Sequence, residues 1–411
     1  MKLLILGASN AQLPGILKAK AMGHQVITLD YLTHAIGHQY SDGQCYDSTF
    51  DSQKVIECAA QHQVEGIMTL GTDQPVLSAM LASKALALPA ALTCETALKV
   101  TNKIAMKKMF VKHQIPTAHY VIYEKGVNEH DLRTLTYPVV VKPVDSQGQR
   151  GIFYLETVQE VIDHYASVII HSRQKEILVE TYYPHDEITV SGWVVNGQCT
   201  LLTVTDRITF SSKRQLGVCL AHRFPSKHSS RYGDAIHKLT HQIVHTFNIE
   251  NGPIYFQYLL GEEGIKVNEI ACRIGGAHEA VFIPKVTGFD IVKAQIALAL
   301  GQQYPQEILN TYDVRKNPYH VSVQLFFVKP TTIVGLTDIH QLKAIPGVID
   351  VGYHVEIGDT ITSIENATQR AGYAVIIGTS SAKVHQTLTR FYQLLKITDA
   401  KGENHVIHSP L

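Results

Sequence analysis

The sequence predicts an α/β chain: a Rossmann-like, doubly wound unit at the N-terminus, two β-rich lobes with interspersed helices, and a small α/β unit at the C-terminus. Three observations carry this. Apolar strand-length runs alternate with helix-length segments through residues 1–100, the pattern of a parallel sheet covered on both faces. Strands dominate residues 117–271, with one helix in each half. After Pro305 come three more strand-like runs and a closing helix.

The elements follow in order. Residues 2–6 (KLLIL) form a first strand, Gly7-Ala8-Ser9 turn the chain, and Leu13 to Met22 read as a helix ended by Gly23. The start could imitate a signal peptide, but its apolar run is too short before Ser9 and Asn10 and the pattern continues as regular fold. "QVITLDY" is the second strand, ending at Asp30; "VEGIMTLGTD" is a strand and turn, with a helix from Pro75. "TNKIAMKKMFVKHQIP" is a helix with Thr101 or Asn102 as N-cap and Pro116 past its end. Strands follow in "AHYVIY", "YPVVVKPV", "GIFYLE" and "EILVETYY", with a helix over 157–173. Then come "ITVSGWVVNG", "QCTLLTVTDR", "IYFQYLL" and "IKVNEIA", with helices over 233–247 and from Gly288 to Leu300. The last unit holds "YHVSVQLFFV", "GVIDVGYHV", "GYAVIIGTS" and a helix from Ala382 to Leu395. The predicted units are 1–100, 101–186, 187–312 and 313–411, packed into one body.

Acids and bases balance at 36 each, which excludes a general binder of nucleic acid or anionic membrane but leaves a specific nucleotide site open. No run of apolar residues is long enough to span a bilayer. The 22 histidines include no H-E-x-x-H pattern. Cys45, Cys58, Cys94, Cys199, Cys219 and Cys272 form no C-x-x-C pair, which predicts free thiols and a reducing, cytoplasmic setting.

Three segments carry chemistry. In "YPVVVKPVDSQGQRGI", Lys142 ends a buried strand, and a polar loop with two glycines leads into the next strand. That arrangement makes a flap whose backbone N–H groups can cover phosphates. In "EILVETYYPHDEITVSG", a strand ends at Glu180, a short hinge follows, and Glu187 sits on the next strand. Such a hinge exposes backbone groups to an adenine edge, and an acid beyond it suits ribose hydroxyls. In "IYFQYLLGEEGIKVNEIA", a three-residue loop Glu262-Glu263-Gly264 pairs Gly261 with Ile265 and sets Gln257 opposite Glu269 on one face. Glu269 is an acid on a largely buried strand with no cation beside it in sequence, so it needs a partner. A carboxylate beside an amide carbonyl is a pair of hard oxygen ligands, and the expected partner is Mg²⁺ rather than a side chain. The first glycine turn, with Asp30 beyond it, has only Gly7 of a dinucleotide fingerprint, and Pro14 stands where close helix packing is normally needed.

Taken in order, these pieces resemble the ATP-grasp superfamily, most closely carbamoyl-phosphate-synthase-like members and L-amino-acid (dipeptide-forming) ligases. The similarity runs through "LILGAS", "TNKIAMKKMF", "YPVVVKPVDSQGQRG", "ILVETYYPHDEITV", "GPIYFQY", "VNEIACRIGG" and "VTGFDIVKAQIALALG". It implies that Lys103 and Lys142 contact ATP phosphates, and that Ser146 to Gly151, with Ser146, Gln147, Gly148 and Gly151 as its named members, form the flap. Glu180 and Tyr182 would lie at the adenine hinge and Glu187 at the ribose. Gln257 and Glu269 would hold magnesium, or manganese in its place, and Arg273 would stabilise the transferring phosphoryl group or acyl phosphate. Ala271 departs from the pattern, where a third ligand, Asn, is usual.

The resemblance implies an ATP-dependent carboxylate–amine ligase working through an acyl phosphate, with small-molecule substrates, amino acids among them, and a homodimeric assembly. No nucleic-acid or membrane partner is expected. Ser9, Asn10, Thr72, Asp73, Arg207, Arg214, Arg223 and the "GGAHEA" stretch would choose the substrates. Three other classes stay open: a carboxylating synthase acting on bicarbonate, an NAD-dependent oxidoreductase built on the first unit, and a non-catalytic ATP-binding protein.

Overall fold

In the computed structural model the described residues are 1–124, 126–145 and 149–409, with backbone alone at residue 214. Strands β1 (Lys2–Leu6), β2 (Gln25–Leu29), β3 (Gly43–Cys45) and β4 (Gly66–Met68) form a parallel sheet in the order β3-β2-β1-β4. Helices α1 (Leu13–Ala21), α2 (Ser52–His62) and α3 (Pro75–Ala85) connect or follow them, as a doubly wound unit requires. Helices α4 (Cys94–Thr101) and α5 (Lys103–Lys112) lead out of this unit.

A second sheet holds β5 (Tyr120–Tyr123), β6 (Val139–Pro143), β7 (Phe153–Leu155) and β8 (Ile177–Thr181), ordered β5-β8-β6-β7 and all antiparallel, with α6 (Val158–Ile169) following β7. The largest sheet contains β9 (Asp186–Val195), β10 (Gln198–Thr209), β11 (Cys219–Phe224), β12 (Gly252–Gly261) and β13 (Gly264–Ala271). It continues through β14 (His320–Val328), β15 (Val348–Tyr353) and β16 (Gly372–Gly378), in the order β13-β12-β9-β10-β11-β14-β16-β15. The pairing of β11 with β14 carries the sheet without a break across the predicted 312/313 division. Helices α7 (Ser229–Thr246), α8 (Glu279–Thr287), α9 (Ile291–Ala299) and α10 (Ser381–Leu394) complete the described architecture.

Two cores join the parts. One packs Leu4, Leu6 and Ile27 of the first sheet with Phe110 of α5 and Ile254, Phe256 and Val267 of the third. The other packs Leu3, Ile5 and Met68 with Phe289 and Ile296. Backbones meet closely there: a Cβ on Gly66 would lie 2.3 Å from the Ala299 carbonyl. No helix among the described residues is long and apolar enough to cross a membrane.

Two expectations are corrected. Cys45 and Cys58 form a disulfide, with S–S 1.98 Å, because β3 and α2 bring them together; Cys94, Cys199, Cys219 and Cys272 are free, as expected. The β12–β13 turn is also one residue shorter than predicted. Gly261 pairs with Gly264, leaving Glu262-Glu263 as a two-residue loop. That register alone would turn Glu269 away from Gln257. A bulge at Asn268 restores it: Tyr258 pairs with Val267, and Gln257 with Glu269.

Candidate active site

A cavity of about 700 Å³ opens where the three sheets meet. It is lined by loops of the first unit, by α5, by the β6 end and the 181–185 hinge, by β12 and β13, and by a loop of the C-terminal unit. Among the described lining residues stand seven cations (Lys103, Lys107, Lys142, Arg150, Arg207, Arg273, Arg370) against four carboxylates (Asp73, Glu180, Glu187, Glu269). That surplus suits a polyanion entering the cavity.

Helix α5 delivers two of the lysines. The Asn102 side chain caps it, accepting from the Ile104 and Ala105 N–H groups at 3.0 and 2.9 Å. Lys103 and Lys107, one turn apart, therefore project to the same side. Lys103 Nζ lies 3.3 Å from Glu269 Oε1. A lysine remote in sequence thus reaches Glu269, beside the expected metal position, through tertiary packing that no local pattern displays. Burial opposes charge on both groups, but each holds the other ionised. The Glu269 carboxyl is kept below its ordinary range by Lys103 and Lys142, and the Lys103 ammonium is raised by Glu269 and Asp73.

Lys107 is nearly inaccessible, its side chain 2% exposed, and donates to Thr117 Oγ1 at 2.6 Å. With Lys142 it brackets Glu180, which ion-pairs with both. Burial would raise the Glu180 carboxyl, yet the two ammonium groups outweigh it and hold it at about 2. Lys142 also donates to Asn268 Oδ1 at 3.3 Å, so the bulged residue is the one it meets. The Glu180 side chain is thus occupied by lysines, and the 181–185 hinge that follows it lines the cavity. Tyr182 N–H donates to the Pro138 carbonyl at 2.9 Å, and its ring stands edge-on to Tyr154. Glu187 ion-pairs with Arg207 and lies 3.5 Å from His185 Nε2.

Gln257 and Glu269 sit side by side on the cavity wall, as predicted, and the Gln257 amide makes no hydrogen bond among the described residues. An orphaned amide beside a carboxylate fits a hard divalent cation. Arg273 is held by Asp73 of the first unit, Nε to Oδ1 at 2.7 Å and NH2 to the same oxygen at 2.6 Å, and lies 4.6 Å over the Tyr255 ring. The glycines after it are spatial requirements. A Cβ on Gly275 would lie 2.3 Å from the Glu279 carboxyl carbon, and one on Gly276 would lie 2.8 Å from the Gly71 carbonyl. Gly151 has φ +73°, and Ser146, Gln147 and Gly148 lie outside the described residues, as does the Arg214 side chain. Sequence reasoning missed Lys107 and Arg370; the four-residue spacing from Lys103 was the available signal for the first.

At the first glycine turn, side chains of the chain itself take up the space and the donors. The Gln12 side chain fills the space over Gly7, 2.7 Å from where a Cβ would sit, and its amide donates to the Leu70 carbonyl. The Asp30 carboxylate accepts from the Ala8 and Leu32 N–H groups, so it braces the turn.

Two families match the chain: ATP-grasp domain over residues 135–280, and L-amino acid ligase C-terminal domain 2 over residues 324–399. Among curated proteins, dapdiamide A synthase of Enterobacter agglomerans is 21% identical over 61% of this chain and 60% of its own length. The L-arginine-specific L-amino acid ligase of Bacillus subtilis is 20% identical over 67% of this chain and 66% of its own. The matched stretch thus spans less than two thirds of either relative. Among solved structures, the L-amino acid ligase of Bacillus licheniformis superposes with TM-score 0.80 at 18% identity, covering 97% of this chain and 98% of that one. The biotin carboxylase domain dimer of Hydrogenobacter thermophilus 2-oxoglutarate carboxylase, solved with MgADP and bicarbonate, superposes with TM-score 0.75 at 16% identity, covering 97% and 90%. The chain thus contains an ATP-grasp domain over residues 135–280, followed by an L-amino acid ligase C-terminal domain over residues 324–399.

Proposed function

We propose that this chain is an ATP-dependent carboxylate–amine ligase that activates its carboxylate as an acyl phosphate. The observation that supports this best is the convergence of Lys103, Lys142, Glu269 and Arg273, from three separate segments, on one cation-rich cavity. The relatives named above, ligases of amino acids and a synthase among them, favour the same class.

In this reading ATP lies with its base at the 181–185 hinge, near Tyr182 and Glu187, and its phosphates toward Lys103 and Lys142. Binding of the triphosphate draws these lysines away from Glu269 and Glu180, so the ion pairs keep the buried acids and bases charged until the nucleotide enters. Gln257 and Glu269 would hold Mg²⁺, which supplies neutralisation of phosphate charge. Asp73 fixes Arg273 in orientation, leaving its guanidinium face toward the reacting groups. A carboxylate oxygen attacks the γ-phosphorus as the bond to ADP breaks. The amine nitrogen then attacks the acyl carbon, the amide C–N bond forms, phosphate leaves with the carboxylate oxygen, and the amine loses a proton. No protein nucleophile is required; positioning and charge carry the rate.

That oxygen gives the test. With the carboxylate labelled with ¹⁸O in both positions, the released phosphate should carry one ¹⁸O. Phosphate free of label, released together with amide product, would exclude the acyl phosphate.

A further inference from the structure

Among the arginines lining the cavity, Arg207 and Arg273 are buried and neutralised by protein carboxylates, Glu187 and Asp73, and Arg370 is half-buried. Arg370, contributed by the C-terminal unit just before β16, has no such partner. Its Nε is fully buried and makes no hydrogen bond, and it enters no ion pair among the described residues. Around it stand Cys219, Tyr255, Glu279 and a second cation, Arg207. Burial and Arg207 both push its guanidinium below its usual range, the reverse of the paired Arg273.

The histidines nearby do not supply the missing charge. His354 Nδ1 is 3.0 Å from Asn10 Nδ2 and so accepts from that amide. His278 and His354 both stack with Tyr373, with ring centroids 3.7 and 5.6 Å away. His278 is half-buried and His354 exposed, and desolvation with nearby cations lowers both imidazoles, to about 3 and about 4, which leaves them neutral. A guanidinium with a buried, unpaired N–H carries a desolvation cost that an anion in the cavity would offset. Its planar fork matches a carboxylate.

Position narrows the choice of carboxylate. The phosphate-facing groups Lys103, Lys142 and Glu269 form one cluster. Arg370 interacts instead with Tyr255 and Glu279, which also interact with Arg273. The reacting carboxylate belongs beside Arg273 and Glu269. We propose that Arg370 binds the second, unreacted carboxylate in the cavity, that of the amine substrate, and so selects an amino acid over a simple amine. This rests on the carboxylate–amine ligase reading.

The test compares wild type with Arg370→Gln and Arg370→Lys, using ATP, one accepted carboxylate donor, and the amine offered either as an amino acid or as its carboxamide. Arg370→Gln should raise KM for the amino acid by about tenfold or more, as loss of a charge-assisted hydrogen bond predicts. KM for ATP, for the donor and for the carboxamide should stay within about twofold, and Arg370→Lys should recover part of the loss. Retained heat stabilisation by Mg²⁺-ATP shows that the variants fold. An equal rise for amino acid and carboxamide overturns the proposal. So does a rise confined to a dicarboxylic donor, which would give Arg370 to the other substrate. Absence of turnover with any carboxylate–amine pair in wild type overturns the ligase reading, and this proposal with it.

Discussion

Glu180 is fully enclosed between Lys107 and Lys142, and its chemistry sets the behaviour of the site at the scale of single residues. The pair of lysines depresses its carboxyl from 4.5 to about 2, so its stabilising contribution is complete above the unfolded value and is lost as pH falls from about 4.5 toward about 2. Urea denaturation of wild type and Glu180→Gln should therefore show the stability gap narrowing across that window; a constant gap would mean that the acid is not ion-paired. Removing Lys107 as Lys107→Met should cost roughly 3–5 kcal/mol, since it strips one partner from a buried ion cluster. Lys142→Ala strips the other partner of Glu180 and should also lower stability, while ATP turnover of the folded protein falls by roughly 10²–10³-fold, as for loss of one transition-state donor. Full activity in Lys142→Ala would contradict the site. The sequence displayed Lys142, Gln257 and Glu269 as candidates because strand alternation locates their faces. It did not display the Lys103–Glu269 or Lys107–Glu180 pairs, which join segments remote in sequence and depend on how the sheets dock.

Among the elements, the β12–β13 hairpin shows how a correct site arises from an unexpected path. The shorter turn and the bulge at Asn268 compensate, so Gln257 still faces Glu269. A bulge changes twist and aim without a glycine or proline to mark it, which is why alternation alone did not reveal it. The bulge also presents the Asn268 carbonyl oxygen of its side chain to Lys142. The glycine pair after Arg273 is a second device. Gly276→Ala would force a Cβ to 2.8 Å from the backbone of Gly71, the loop that carries Asp73. It should lose about 1–3 kcal/mol of stability, as overpacking does, and reduce turnover by disturbing the Asp73–Arg273 pair. Chemical denaturation and steady-state rates check both effects; an unchanged protein would mean that the two loops part freely. Helix boundaries were easier to read: Asn102 marks a start by capping and Pro75 by its fixed φ.

The molecule as a whole depends on docking. The first unit supplies Asp73, the hinge sheet Lys142, the large sheet Glu269, and the C-terminal unit Arg370, so one cavity requires every part in place. Alternating strands and helices made the parallel first sheet legible. The continuous sheet through β11 and β14 was not, because strand order among distant antiparallel strands leaves no local trace. Nor did cysteine spacing disclose the Cys45–Cys58 bond, which follows from β3 lying against α2. A ligand that touches several parts should stabilise them together: Mg²⁺-ATP at about a hundred times its Kd should add about 2.7 kcal/mol, seen as a raised Tm. Glu269→Ala should reduce that rise. The most direct test of the central claim is ADP release from Mg²⁺-ATP across a panel of free amino acids and amino-acid pairs. ADP formed only with particular pairs, and lost in Glu269→Ala, is the result expected of this ligase. No ADP with any pair, or an undiminished rate in Glu269→Ala, would contradict it.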